Sequence, residues 1–445
     1  MISHPASAYR RPPARPGDLK LDSNEGALPP AALLQTLAGL DPEVLRRYPD
    51  VSTLEAALAE RFGVSRDRVI VTAGADEAID RTCRAYLGPG LTLLRPEPSF
   101  EMLDRFAALA GGELACVPWE PGPFPLAEFL ARLDARTAVV AVVSPNNPTG
   151  GVASAGDVRR LAEAAPGALV LLDHAYVEYA DEDLTSAVGD LPNVLVLRTL
   201  SKAWGLAGCR VGFAIGSPKV AAMLRAAGGP YPVAAPSAAL ALAQLARGDA
   251  ALREHVARVR EERRLLTERL AALGLRPWPS QANFVFAQCG PRPPAPFLAA
   301  GLAALGVVVR DFPDRPGLEA ALRITLPGDT AAFRRLVTAL DTVLAPEALL
   351  LQCDGALSPD HALLERLAAR RPLAIVTGRR ADLGTRRAWM LGSTPDDVRA
   401  AAGAGVLPLA LVAPGDDPTA TAAALREAGA ARVLDGLTDL LELLP

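Results

Sequence analysis

Lysine is nearly missing from this chain. Of 46 basic residues in 445, lysine stands only at Lys20, Lys202 and Lys219, and arginine fills the rest. Cysteine is sparse as well, with five scattered at Cys83, Cys116, Cys209, Cys289 and Cys353. An odd number without CxxC spacing argues against a disulfide framework and reads as free thiols in a reducing cytoplasm. No apolar run approaches the length of a membrane span. The first twenty residues are rich in Pro and Arg and lack an apolar centre, unlike a signal peptide. A net charge of -4 shows no bias toward nucleic acid or a membrane surface.

What is present is a well-buried globular chain, half apolar, with 40 prolines and 37 glycines. Its length exceeds one ordinary core, so two or three domains are expected. From Val69 to Ile215 short β-rich runs alternate with helical stretches. The runs are 69–71, 91–94, 139–143, 169–172, 194–197 and 211–215, which indicates an α/β domain with a mostly parallel sheet. A charged amphipathic stretch, Ala250 to Leu273, reads as a connecting helix, followed by a smaller α+β unit with strands at 283–287, 307–310 and 322–326. A seam falls near Leu344-Ala345-Pro346-Glu347, after which strand-like runs at 348–351, 373–376, 388–391, 407–412 and 431–434 suggest a second small α/β unit.

Lys202 lies just past the apolar run Val194 to Leu197, in Arg198-Thr199-Leu200-Ser201-Lys202-Ala203-Trp204-Gly205-Leu206-Ala207-Gly208-Cys209-Arg210. An amine can lose its proton and condense with an aldehyde; a guanidinium cannot. Other polar loops follow other apolar runs, and in an open parallel sheet such loops meet at the carboxyl ends of the strands. Thr72-Ala73-Gly74-Ala75-Asp76-Glu77 opens a helix, whose free N–H groups suit a phosphate. Taken alone, Asp76 reads as an ordinary N-cap. Ser144 to Gly150 is by itself a generic turn. Asp173 and Tyr176, in Asp173-His174-Ala175-Tyr176, read equally as a helix cap and a packed ring.

As a set, these loops resemble fold-type I aminotransferases that use pyridoxal phosphate (PLP), and histidinol-phosphate aminotransferases most closely. The resembling stretches also include Leu21-Asp22-Ser23-Asn24-Glu25, Arg47-Tyr48-Pro49-Asp50, Pro98-Ser99-Phe100, Gln281-Ala282-Asn283-Phe284 and Leu322-Arg323-Ile324-Thr325. The resemblance implies a large domain (about 45–240) with a mostly parallel seven-stranded sheet. The small α+β domain would comprise the N-terminal segment and about 250–343. Lys202 would form the aldimine with PLP and then carry the proton between substrate Cα and cofactor. Asp173 would keep the pyridine nitrogen protonated, while Asn147 and Tyr176 would bond the phenolic oxygen. Phe100 would stack on the ring, where the family often has Tyr. Ala75, Asp76, Thr199, Ser201 and Arg210 would hold the cofactor phosphate. Tyr48 would reach it from a neighbouring subunit, which implies a homodimer with shared sites. Arg323 resembles the arginine that grips the substrate carboxylate. Arg310 is a second candidate anion site, or equally a surface ion pair. Asn24, Asn283 and Tyr9 complete the implied substrate side. The chain departs from the family at His174, where Glu is common, and at Gly26-Ala27, where Asn-Pro is usual. Both changes fall close to the substrate side.

Leu351-Gln352-Cys353-Asp354-Gly355, Val376-Thr377-Gly378-Arg379 and Gly392-Ser393-Thr394-Pro395-Asp396-Asp397 resemble the motifs of haloacid-dehalogenase-like phosphatases, in order, across 346–445. That implies a small Rossmann-like α/β domain. Gln352 stands where the nucleophilic aspartate belongs, and an amide cannot readily form the acyl-phosphate or replace a carboxylate on Mg²⁺. Ser393 replaces a metal-binding aspartate, and no lysine follows Lys219. The short spacing from Arg380 to Ala388 reads as a deletion of the lysine-bearing segment, with a strand and a helix. The expectation is a domain without catalysis, leaving dimer stability or binding of a partner or effector as its use.

The implied activity is transfer of an amino group between a small-molecule amino donor and 2-oxoglutarate. A PLP-dependent decarboxylase or lyase, a bifunctional aminotransferase-phosphatase and a PLP-binding interaction protein are the competing expectations.

Overall fold

The run Val139-Val140-Ala141-Val142-Val143 has no polar face, so a strand made from it must be covered on both sides. A computed structural model, which describes residues 15–351, 361–370, 374–377, 387–413 and 415–444, shows how this is met. The chain divides into two compact units. The first holds Asn24–Arg263 and Trp278–Val285; the second holds 15–23, Arg264–Pro277 and the described residues from Phe286 onward.

The first unit is built on a seven-stranded sheet. Its order is Val69–Thr72, Gly212–Ile215, Val194–Thr199, Leu169–Asp173, Thr137–Val143, Thr92–Glu97, Glu113–Pro118. Only Gly212–Ile215 runs against the others. Side-chain alternation divides each strand between two cores. Val139, Ala141, Leu169, Leu171, Leu195 and Leu197 pack with Ile79 and Leu103 on one face. Val140, Val142, Val170, Leu172 and Val196 pack with Phe129, Val158 and Leu161 on the other. Glu113–Pro118, an edge strand mostly open to solvent, is absent from the sequence reading. It lacks the continuous apolar run that marks the central strands.

Because both faces are closed, polar side chains gather where strands end. Thr72, Glu97, Val143, Asp173 and Thr199 all lie at the carboxyl edge. The loops singled out in the sequence leave from there. Helices Gly74–Tyr86 and Glu101–Leu109 start almost directly after their strands.

A five-stranded sheet, in the second unit apart from Phe284 and Val285, has the order Leu19–Leu21, Val307–Asp311, Ala321–Thr325, Phe284–Gln288, Arg276–Pro277. Beyond helix Thr330–Leu344 comes a sheet of parallel strands ordered Ala374–Thr377, Ala348–Leu351, Ala388–Gly392, Leu407–Leu411, Arg432–Leu434. Trp389 joins it to the elements before it. The side chain is fully buried, its indole N–H donates to the Thr342 carbonyl at 2.8 Å, and Phe297 meets its ring edge-on at 5.6 Å. Among the described residues no helix is long and apolar enough to cross a membrane.

Trp389→Ala removes the largest fully buried side chain and its hydrogen bond. The loss is expected to be about 4 kcal/mol, read by urea unfolding. Limited proteolysis of that variant then cuts between 344 and 348 while wild type resists.

Candidate active site

Asp173 is the last residue of a fully buried strand and is 3% exposed. Its Oδ1 accepts from the Ala175 N–H at 3.0 Å, so the next turn partly solvates it. Burial nevertheless pushes its carboxyl up to about 6. The charge of Asp76 adds to the rise, while the Ala175 N–H and the nearby Lys202 cation oppose it. This carboxylate therefore lacks adequate compensation and suits a cationic partner.

Tyr176 follows on the same segment. Its hydroxyl oxygen accepts from Asn24 Nδ2 at 3.0 Å, which leaves the hydroxyl hydrogen directed elsewhere. Asn24 holds a left-handed backbone (φ 56°) and its carbonyl accepts from Asn283 Nδ2 at 3.2 Å. The Lys202 amine lies 5.6 Å from the centre of the Tyr176 ring. Asn24, Asp173, Tyr176, Lys202 and Asn283 are thus one neighbourhood. Gly26 explains one family departure: a Cβ there would collide with the Lys202 carbonyl, and one at Gly205 with the Ala27 carbonyl. The two segments pass backbone to backbone, and glycine permits it.

A second group sits at the start of helix Gly74–Tyr86. Thr199 Oγ1 donates to Ser201 Oγ at 3.0 Å. Arg210, in a left-handed conformation (φ 52°), reaches Ser201 Oγ at 3.4 Å and Asp76 Oδ2 at 3.2 Å. A Cβ at Gly74 would lie 2.7 Å from the Arg210 guanidinium. Asp76 is not the N-cap that its place near a helix start suggests. The cap position is Ala73, with no side-chain cap bond; Asp76 is the third helical residue and faces Arg210. The strand runs straight into the helix, which leaves no turn for an Asp cap.

In the second unit, Arg310 and Arg323 stand directly opposite each other on paired antiparallel strands. Arg323 is buried and donates to the Asp22 carbonyl, while Arg310 lies over the Phe312 ring at 5.9 Å. Cross-strand partners share a face, and like charges there repel. An anion placed between them relieves that repulsion. Asn147 is buried in its loop, where its neighbour Asn146 binds Ser99, Thr149 and the Pro98 carbonyl. Phe100 is half-buried against the core of the sheet. Tyr48 is 79% exposed, its ring stacked on Tyr231 at 4.4 Å. Tyr9 lies outside the described residues, as do Gln352, Cys353, Asp354 and Arg379.

His174, beside Asp173, is 1% exposed, and its Nδ1–H donates to the Ser144 carbonyl at 2.5 Å. Its Nε2 is buried with no partner. Burial, helped by the Arg198 charge, holds the imidazole down to about 4. The sequence reading also passed over Glu178, Arg198 and Trp204, which surround this segment with ion pairs and hydrogen bonds. Only their spacing from Tyr176 and Lys202 marks them in the sequence.

Asp173 and His174 have opposite pH linkage. The Asp173 contribution is present below its ordinary 3.8 and lost as pH rises through about 6. The His174 contribution is present above its ordinary 6.5 and lost as pH falls through about 4. In the unliganded chain the two offset each other between these limits. Asp173→Asn removes one side, so acidification from pH 6.5 to 4 should cost the variant roughly 3 kcal/mol more than wild type. Urea unfolding across this range tests it; parallel curves contradict it.

The aminotransferase class I and II family model matches residues 16–340. The chain is 35% identical over 324 residues to histidinol-phosphate aminotransferase 1 of Trichormus variabilis, covering 72% of this chain and 90% of that protein. It is 37% identical over 336 residues to the histidinol-phosphate aminotransferase of Dinoroseobacter shibae, covering 74% and 92%. The crystal structure of histidinol-phosphate aminotransferase from Sinorhizobium meliloti in complex with pyridoxal-5'-phosphate superposes with a TM-score of 0.66 at 27% identity, covering 73% and 89%. With its mixed seven-stranded sheet and its polar loops gathered at one edge, the chain belongs to the class I and II aminotransferases.

Proposed function

We propose that this aminotransferase uses PLP, carried on Lys202, to move an amino group between a substrate of the histidinol-phosphate type and 2-oxoglutarate. One observation carries the reading. A buried, under-compensated carboxylate, Asp173, lies near the chain's isolated strand-end lysine, while a guanidinium–hydroxyl group stands at a helix start on the same edge. These residues fit the cofactor's ring nitrogen and phosphate.

When bound, PLP supplies an aldehyde carbon and a ring that withdraws electrons from substrate Cα. Asp173 contributes a fixed negative charge that favours a protonated nitrogen opposite it. Arg210 and the hydroxyls of Thr199 and Ser201 hold the phosphate with the N–H groups of Ala75 and Asp76. The exposed Arg210–Asp76 pair is worth only about 0–1 kcal/mol, so an anion displaces it at small cost. Tyr176, fixed by Asn24, directs its hydroxyl proton at the phenolic oxygen, with Asn147 beside it. Phe100 offers an aromatic face. Lys202 takes a proton from substrate Cα and returns it. Arg323 and Arg310 bind the substrate's anionic groups, supported by their cross-strand pairing. Asn24 and Asn283 line the substrate side. The exposure of Tyr48 supports a homodimer in which it serves the neighbouring site. Free thiols at Cys83, Cys116, Cys209 and Cys289 support a cytoplasmic setting.

The family match ends at residue 340. We propose that the part from 346 onward is a haloacid-dehalogenase-like domain without catalysis. The parallel strand order supports the likeness, with Ala348–Leu351 between Ala374–Thr377 and Ala388–Gly392. Asp397 supports the loss of activity. Its carboxylate accepts from the N–H groups of Ser393 and Thr394 and thereby caps its own helix, as expected for a structural acid.

PLP-loaded protein should show a visible band that Lys202→Ala abolishes. Borohydride reduction followed by peptide mapping should place the adduct on Lys202, and histidinol phosphate or glutamate should shift the band. An unlabelled Lys202 peptide in folded, cofactor-saturated protein defeats the reading. Mg²⁺-dependent release of phosphate from histidinol phosphate should be absent; its detection in wild type defeats the second proposal.

A further inference from the structure

Two residues beyond Tyr176, Glu178 holds two separate segments with one oxygen. Its Oε1 accepts from Arg198 Nη2 at 2.9 Å and from Trp204 Nε1 at 3.3 Å. Arg198 also donates to Asp183 Oδ2 at 2.5 Å and Thr185 Oγ1 at 3.1 Å, and its guanidinium lies 4.8 Å from the Phe62 ring centre. The side chains of Arg198 and Glu178 are 6% and 10% exposed. Trp204 stands two residues beyond Lys202 and is itself buried. The segments bearing Asp173 and Tyr176, Thr199, and Lys202 thus meet at a single carboxylate.

The indole is 5% exposed and packs in a core cluster with Leu200, Leu206 and Phe213. Trp204 borders a cleft of about 360 Å³, shared with Arg61, Phe62, Phe213 and Leu252. On the side of the cleft the ring has fewer contact atoms, so packing restrains its rotation least there. Arg61 covers the ring at 4.9 Å, but its own side chain is 33% exposed. Gln244 Nε2 donates to the Trp204 carbonyl at 3.2 Å, which restrains backbone and not ring. The bond to Glu178 gives the indole N–H a buried acceptor and so fixes the direction in which it points.

We propose that Glu178 is a positioning residue: by holding Trp204 and Arg198 on one oxygen, it sets the Lys202 amine against Tyr176 and Asp173. The inference rests on the reading of Lys202 as the PLP-bearing amine. It acts through the loop, since Glu178 lies beyond Tyr176 and its bonds run to Arg198 and Trp204. Displacing the amine from its neighbours changes how strongly the linked nitrogen holds its proton.

The test is a pH titration of the visible band of PLP-loaded protein for wild type, Trp204→Phe, Glu178→Leu and the double variant. Trp204→Phe removes the N–H donor together with the five-membered half of the indole while keeping an aromatic ring, and a urea unfolding curve of each variant shows whether the fold is retained. Each single variant should move the midpoint by about half a pH unit, a threefold change in proton affinity. The double variant should move no further than the larger single shift, because both changes break one link. A normal wild-type band with unmoved midpoints, or with fully additive shifts, overturns the positioning role alone. Absence of a Lys202-dependent band in wild type overturns the reading of the site as well.

Discussion

The structure depends on a sheet with no wet face. Once Val139 to Val143, Leu169 to Leu172 and Val194 to Leu197 are sealed between two cores, the chain can place polar chemistry only where the strands stop. Asp173 closes one buried strand and Thr199 the neighbouring one. The carboxylate and the lysine loop are therefore brought near each other by register, with no need for a dedicated scaffold.

The same burial sets the electrostatics. Asp173 is pushed toward its neutral form because water has been removed and too little has replaced it. His174 is pushed toward its neutral form for the same reason. The neighbouring Arg198 escapes this fate because Glu178 and Asp183 surround it; burial would raise the Asp183 carboxyl, but the Arg198 charge and the hydrogen bonds from Thr185 hold it down to about 2. Within a few residues, then, the unit contains a cation paired with two carboxylates and a carboxylate with too little compensation. The compensated set organises the loops. The under-compensated carboxylate is the one suited to chemistry.

Much of this was legible from sequence where residue type alone decides. A run of five apolar residues can only be a covered strand or helix, and the scarcity of lysine made Lys202 conspicuous. Three of the five strands of the small sheet and the strands of the C-terminal part were also readable, to within a residue or two at their ends, whereas the short edge strands Leu19–Leu21 and Arg276–Pro277 were not. Edge strand Glu113–Pro118 was not, because half-exposed strands mix polar and apolar residues without strict alternation. Nor was the helical position of Asp76, since an Asp near a helix start satisfies the capping pattern whether or not it caps. Glu178, Arg198 and Trp204 escaped notice because their roles arise from contacts between segments, and spacing along the chain carries no distance across it. The stacking of Tyr48 on Tyr231 is hidden for the same reason.

The end of the family match at residue 340 does not coincide with an edge of the core. Helix Thr330–Leu344 continues past it and gives the carbonyl of Thr342 to Trp389, while Phe297 meets the same indole. A Cβ on Gly301 would press on Val343 and on Leu407 alike. Cutting the chain back to the length of its relatives would thus strip away a wall instead of a tail, baring Phe297 and an orphaned carbonyl. Any shortened version made for study would need new polar residues there to remain in solution.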